Sequence, residues 1–194
     1  MATWASPCNW DKSWGNRPGQ GALMPSGETI RIYIYIAILV VAPLLYLFGP
    51  GRARRLEQLF RAPEPLPAVD FALLKLGRRP NQYLVCPPGI CRAAAHAEPP
   101  VFDMPPEALR DAMRAVALSQ PDTVLARHDE AANQDDFIQR TRLMRYPDII
   151  TVRYLDDGGG KSTLAIYSRS VYGYSDRGVN RARVQSWLEQ LAAR

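Results

Sequence analysis

The sequence predicts an α+β protein: a single membrane-spanning helix, then a two-layer domain in which a four-stranded antiparallel meander is flanked by two helices. Three observations predict it. Residues 32–48 form an uncharged apolar run that, counted from Ile30, approaches the ~20 residues needed to cross a bilayer core. Residues 122–169 hold four short segments of strand character, and Asp156-Asp157-Gly158-Gly159-Gly160 joins the last two as a hairpin turn. Apolar residues recur at helical spacing at Leu109, Met113, Val116 and Ala117 before the segments, and at Val184, Trp187, Leu188 and Leu191 after them.

The chain begins with a tail, residues 1–29, that carries Trp4, Trp10 and Trp14 among Gly, Pro, Ser and Asn. It shows no helical or strand period and is not expected to fold alone. Its tryptophans suit either a membrane interface or a clamp on a partner subunit, where Trp is a favoured anchor. The span follows over residues 30–49. Tyr33 and Tyr35 stand near one end, Tyr46 and Phe48 near the other, where interfacial aromatics belong. Pro43 lies inside, and Gly49-Pro50-Gly51 ends the helix. The run is not a cleaved signal peptide, because arginines follow it where a small-residue cleavage site is needed.

Residues 50–78 read as a basic and proline-rich linker, with a short basic helix at 52–61 and a stiff stretch at 61–68. The folded domain is expected over 79–194. Residues 83–86 read as a short strand before Pro87-Pro88. A helix is expected at 105–119, started by Pro105 and Pro106. Strands are expected at about 122–128, 136–144, 148–156 and 162–169. Ile150, Val152 and Tyr154 share one face with Leu164, Ile166 and Ser168; Arg153, Tyr167 and Arg169 lie on the other, which is expected to be wetter. The last helix starts near 179–180.

The net charge of +5 is carried almost wholly by arginine; lysine stands only at Lys12, Lys75 and Lys161. Arginine suits acidic partners and anionic lipid. Arg52, Arg54, Arg55 and Arg61 follow the span, against Arg17 and Arg31 before it. That asymmetry predicts a cytoplasmic C-terminal domain. The three cysteines are Cys8, Cys86 and Cys91. A Cys86–Cys91 disulfide argues the reverse, a periplasmic domain. Cys86, Cys91 and His96 can also be written as a metal pattern, but it lacks a fourth ligand and matches no common zinc spacing. Gly160-Lys161-Ser162 resembles the end of a phosphate loop, yet it runs from turn into strand and lacks the earlier glycine. No catalytic arrangement of Ser, His and acid stands out, and no cofactor or metal is expected.

The densest chemistry lies at the corner between the last strand and the last helix. Gly173 and Gly178 permit backbone angles closed to other residues. Ser175, Asp176 and Asn180 are all suited to cap the helix that follows. Arg169, Arg181 and Arg183 flank the helix N-terminus, which attracts anions. Arg169, Tyr172, Ser175, Asp176, Asn180, Arg181 and Arg183 are therefore the candidate binding residues. One reading is a structural lock between strand and helix, and another adds an anion site. Asp176 is expected to matter more to folding than Arg183, which lies further along the helix and is expected to be solvated or ligand-facing.

The same corner, Ser168-Arg169-Ser170 with Gly173-Tyr174-Ser175-Asp176-Arg177-Gly178-Val179-Asn180-Arg181-Ala182-Arg183-Val184, resembles the signature of the uncharacterised "domain of unknown function 1499" family of bacterial and plastid proteins. Arg79-Pro80-Asn81-Gln82-Tyr83-Leu84-Val85 and Tyr146-Pro147-Asp148-Ile149-Ile150-Thr151-Val152-Arg153 are also similar to family segments. The resemblance covers roughly residues 79–194. It implies no established activity, substrate or catalytic residues, and it implies a membrane tether with the domain facing away from the cytoplasm. Residues 1–50 differ from the usual short anchor, which suggests a specialised role. The expected function is a non-enzymatic accessory or assembly subunit of a bacterial inner-membrane complex, respiratory or photosynthetic. The alternative is a membrane-anchored module that binds an anionic small molecule or lipid headgroup at the 169–183 corner. The expected partners are an integral-membrane protein complex and membrane lipid, not nucleic acid.

Overall fold

The structure, a computed structural model, describes residues 26–194; the tail carrying Trp4, Trp10 and Trp14 lies outside the described residues. The chain divides into two compact units at the Tyr46/Leu47 boundary. The first holds Gly27–Tyr46 of helix α1 (Gly27–Phe48), a stretch long and apolar enough to cross a membrane. The helix is about 33 Å long at 1.5 Å per residue. The Ser26 hydroxyl accepts the Thr29 N–H at 3.3 Å and caps its first turn.

The second unit runs over Leu47–Arg194. Its elements are α2 (Arg52–Leu59), β1 (Gln82–Val85), α3 (Pro106–Ser119), β2 (Thr123–Asp129), β3 (Gln134–Arg140), β4 (Pro147–Gly158), β5 (Lys161–Ser170) and α4 (Val179–Ala192). The sheet has five strands, not four, in the order β1-β5-β4-β3-β2, and every pairing is antiparallel. The extra member is the short strand at 82–85. It joins the edge beside β5, with Tyr83 opposite Ser168, although more than eighty residues separate them. The four β2–β5 strands form the expected meander. The β4–β5 hairpin closes through Gly158, Gly159 and Gly160, with φ of 83°, 62° and 77°. Three successive left-handed residues need glycine, since a Cβ strains each of these angles.

Helices α3 and α4 cover one face of the sheet. Leu109, Met113, Val116 and Ala117 of α3 and Val184, Trp187 and Leu191 of α4 are buried against Phe137, Ile150, Val152, Tyr154, Leu164 and Ile166. Trp187 meets Phe137 edge-on at 5.9 Å between ring centroids. The strand parity read from the sequence is the parity of this core.

The opposite face is drier than expected. A second cluster of Phe71, Leu84, Cys86, Ala165 and Tyr167 is buried there, with Val69, Leu74 and Leu76 packed on it. The residues read as a linker thus supply part of the core of the second unit. A proline-rich stretch has few N–H groups to offer a ladder, so its carbonyls are free to be gripped by side chains. Arg127 donates to Leu66 O at 3.3 Å, Gln134 to Val69 O at 3.3 Å and Arg140 to Phe60 O at 3.0 Å.

Candidate functional site at the strand-to-helix corner

Strand β5 ends at Ser170, whose N–H donates to Asn81 O at 3.0 Å. The chain then turns through residues 171–178 and enters α4. Asn180 is fully buried at the start of that helix. Its Nδ2 donates to Asn81 O at 3.0 Å and to Ser170 Oγ at 3.1 Å. Its Oδ1 accepts from Ser168 Oγ at 2.6 Å and from Arg183 Nη1 at 2.7 Å. The Asn81 side chain extends the chain of bonds to the turn, donating from Nδ2 to Gly173 O at 3.0 Å. Every polar atom of the Asn180 side chain is used, as burial requires.

Arg183 is the centre of this lock. Its Nη2 donates to Asp148 Oδ2 at 2.5 Å, its Nη1 to Ser168 Oγ at 3.0 Å, and its Nε to Gln139 Oε1. The Arg183 side chain is 7% exposed and that of Asp148 5%. The expectation that Arg183 is solvated or ligand-facing is therefore corrected. Helix position alone assigns an arginine to solvent, but here a carboxylate from β4 stands beneath it and neutralises it.

The remaining candidates divide. Arg169 lies on the other side of the sheet from Ser168, because successive strand residues alternate. Its Nη1 donates to Thr151 Oγ1 at 3.3 Å and its guanidinium stands 5.0 Å from the centroid of the Tyr167 ring. Burial lowers its pKa from the ordinary arginine value. Asp176 binds backbone, not arginine: its Oδ2 accepts the Asn180 N–H at 2.7 Å and its Oδ1 the Gly178 N–H at 3.1 Å. Ser175 Oγ accepts the Arg177 N–H at 3.2 Å. Tyr172 donates from its hydroxyl to Arg61 O at 2.9 Å and packs with Phe60 and Tyr146. Arg181 is exposed. The three arginines proposed as an anion cradle, Arg169, Arg181 and Arg183, do not converge.

The three segments carrying the family likeness meet in this lock. Asn81 comes from 79–85, Asp148 from 146–153, and Ser168, Asn180 and Arg183 from 168–184. The family's sequence profile, described as a protein of unknown function (DUF1499), matches residues 77–191. The chain belongs to the DUF1499 family. A search of curated proteins returns no match. The family signature thus corresponds, in this DUF1499 domain, to a buried polar joint between β1, β4, β5 and α4. What the joint holds outward is a rim of exposed side chains. Tyr174 is 72% exposed, Val179 47% and Tyr172 38%, with Arg177 and Arg181 beside them in sequence.

A second buried constellation in the DUF1499 domain escaped the sequence reading. The Asp135 carboxylate is fully buried and accepts from Arg114 Nε and Nη2, both at 2.8 Å, and from Tyr154 Oη at 3.0 Å. His128 Nδ1 lies 2.8 Å from the same carboxylate. Burial pushes the Asp135 pKa up, and the hydrogen bonds from Arg114, His128 and Tyr154 outweigh it, so the carboxyl sits below its usual range. The Tyr154 hydroxyl is held well above its ordinary value by burial and by Asp135. A carboxylate so fully engaged is a structural anion, not a free base. The signal was the Asp135-Asp136 pair inside a strand. Alternation sends one acid to each face, and Asp136 finds Arg127 and Thr151 on the other side.

Cys86 and Cys91 form a disulfide, which removes both sulfurs from the pattern with His96. His96 accepts the Leu84 N–H on Nδ1 at 3.0 Å and stacks on Tyr83.

Proposed function

We propose that this DUF1499 protein is a non-enzymatic accessory or assembly subunit of a membrane-protein complex, anchored by α1 and gripping its partner with the rim of the 172–181 corner. The carrying observation is the pairing of a rigid joint with an exposed aromatic and arginine rim. Tyr and Arg are favoured anchors in protein interfaces. Side chains on a fixed frame lose little further backbone entropy on binding. Asn180, Arg183 and Asp148 supply that frame.

We read the setting as a bacterial inner membrane with the domain on the periplasmic side. The Cys86–Cys91 bond supports an oxidising compartment. The arginines after the span count less against this, because they belong to a large folded unit, and large domains cross a membrane largely regardless of charge.

A photo-crosslinking residue in place of Tyr174 tests the rim in intact membranes. The reading expects one discrete adduct from position 174 and none from Glu130, an exposed residue of the β2–β3 turn. No adduct at 174, or the same adducts at both positions, defeats it.

A further inference from the structure

We infer that the face built from α2 and the β3–β4 loop, residues 141–146, lies against the headgroups of anionic lipids. The inference rests on the reading of α1 as a membrane anchor. Only Gly49, Pro50 and Gly51 separate Phe48 from Arg52. Four steps of backbone reach at most roughly 14 Å. Helix α2 is therefore tethered within that distance of the end of the anchor, however the domain is turned.

Helix α2 in turn is fastened to the loop. Leu56 is buried. Arg145 Nη2 bonds Glu57 Oε1 at 2.5 Å, and Arg145 Nη1 reaches Asp122 at 2.6 Å. Phe60, next after the helix, meets Tyr146 edge-on at 4.5 Å between centroids. Arg52 donates to Arg142 O at 3.4 Å. The loop thus travels with α2 and shares its short tether.

The charge of this surface selects its occupant. Residues 49–61 and 141–146 together hold six arginines, Arg52, Arg54, Arg55, Arg61, Arg142 and Arg145, against one acid, Glu57. That acid is already held by Arg145. Arg54 and Arg142 are exposed, and Leu59 and Leu143 are 64% and 58% exposed. Exposed arginine beside exposed leucine, on a segment tied to a bilayer, is the composition of a membrane-surface contact. A protein partner here needs acids facing these arginines, whereas an anionic leaflet supplies the same charge along the whole tether.

The full chain, with Cys8→Ser and Leu143→Cys carrying an environment-sensitive dye, is reconstituted in lipid nanodiscs. In discs rich in phosphatidylglycerol, the dye at 143 should be quenched several-fold more by spin-labelled lipid than a dye at Glu130→Cys. The comparison site is apt because β3, whose seven residues extend about 23 Å, separates the two loops. Phosphatidylcholine discs, or Arg54→Gln with Arg142→Gln, should lessen the difference without lowering the melting temperature. A chain that does not stay with the discs after an alkaline wash overturns the anchor reading and this inference with it. A chain that stays, with position 143 no more quenched than position 130, overturns the lipid face alone.

Discussion

Replacing Arg183 by alanine tests the buried joint most sharply. The change removes four hydrogen bonds, to Gln139, Ser168, Asn180 and Asp148. It also leaves the Asp148 carboxylate, 5% exposed, without its cation. Breaking a buried ion pair by deleting one member costs about 3–5 kcal/mol. For a domain of this size each kcal/mol lowers Tm by roughly 2–4 °C, so a fall of about 10 °C is expected. Asp176→Ala loses two acceptors for backbone N–H groups at the head of α4, a cap-sized loss of about 1 kcal/mol. The order is thus Arg183→Ala well below Asp176→Ala, the reverse of what helix position suggests. Adding Asp148→Asn to Arg183→Ala should recover more than about 1 kcal/mol, because the orphaned charge is gone. Thermal and urea melts of the full chain in mild detergent compare the three variants with wild type. Arg183→Ala within about 0.5 kcal/mol of wild type would refute the reasoning, since ordinary surface changes fall in that range.

Four other outcomes are expected. Phe71→Ala should cost about 3–5 kcal/mol, because its ring is fully buried; a change near zero in the same melts would return residues 60–76 to the status of a linker. Asp135 has a lowered folded pKa, so its ionised form stabilises the fold above the unfolded value near 3.9, and that contribution is lost as pH falls through the folded value. The stability gap between wild type and Asp135→Asn should therefore be constant above about pH 5 and shrink below pH 4, and a gap that widens in acid contradicts the assignment. Replacing Cys86 and Cys91 by serine should cost about 2 kcal/mol for so short a loop, and an impermeant thiol reagent should label Arg194→Cys in a Cys8→Ser chain in intact spheroplasts; failure to label places the domain in the cytoplasm.

Much of the fold was legible because its causes are local. The α3 stripe of Leu109, Met113, Val116 and Ala117 is buried as its spacing predicts. The parity of Ile150, Val152 and Tyr154 against Leu164 and Ile166 is that of the core. The partner of 82–85 was not legible, since a four-residue strand fixes no register and β5 lies far along the chain. The cover over 60–76 was hidden by its composition, as proline and charge read as linker until the arginines that grip its carbonyls are placed. At the corner, a lock between strand and helix was legible and Asn180 and Arg183 were among its candidates, but Asn81, Gln139 and Asp148, which complete it from distant segments, were not. Arg183 is interior only because Asp148, thirty-five positions earlier, is delivered beneath it by β4. The division of Arg169 from Arg183 follows from strand alternation at 168 and 169, which nearness in sequence conceals.

On the proposed function, the rim of the 172–181 corner holds this DUF1499 protein, which carries one helix long and apolar enough to cross a membrane, in a larger assembly. The direct measurement is the native size of the full chain after gentle detergent extraction, compared between wild type and the double variant Tyr174→Ala with Arg181→Ala. Both side chains are exposed, so the variant should melt like wild type. A large assembly containing wild type, and release of the variant as a small species, are the expected results. A wild-type chain that migrates alone, or a variant that remains in the assembly in wild-type amount, contradicts it.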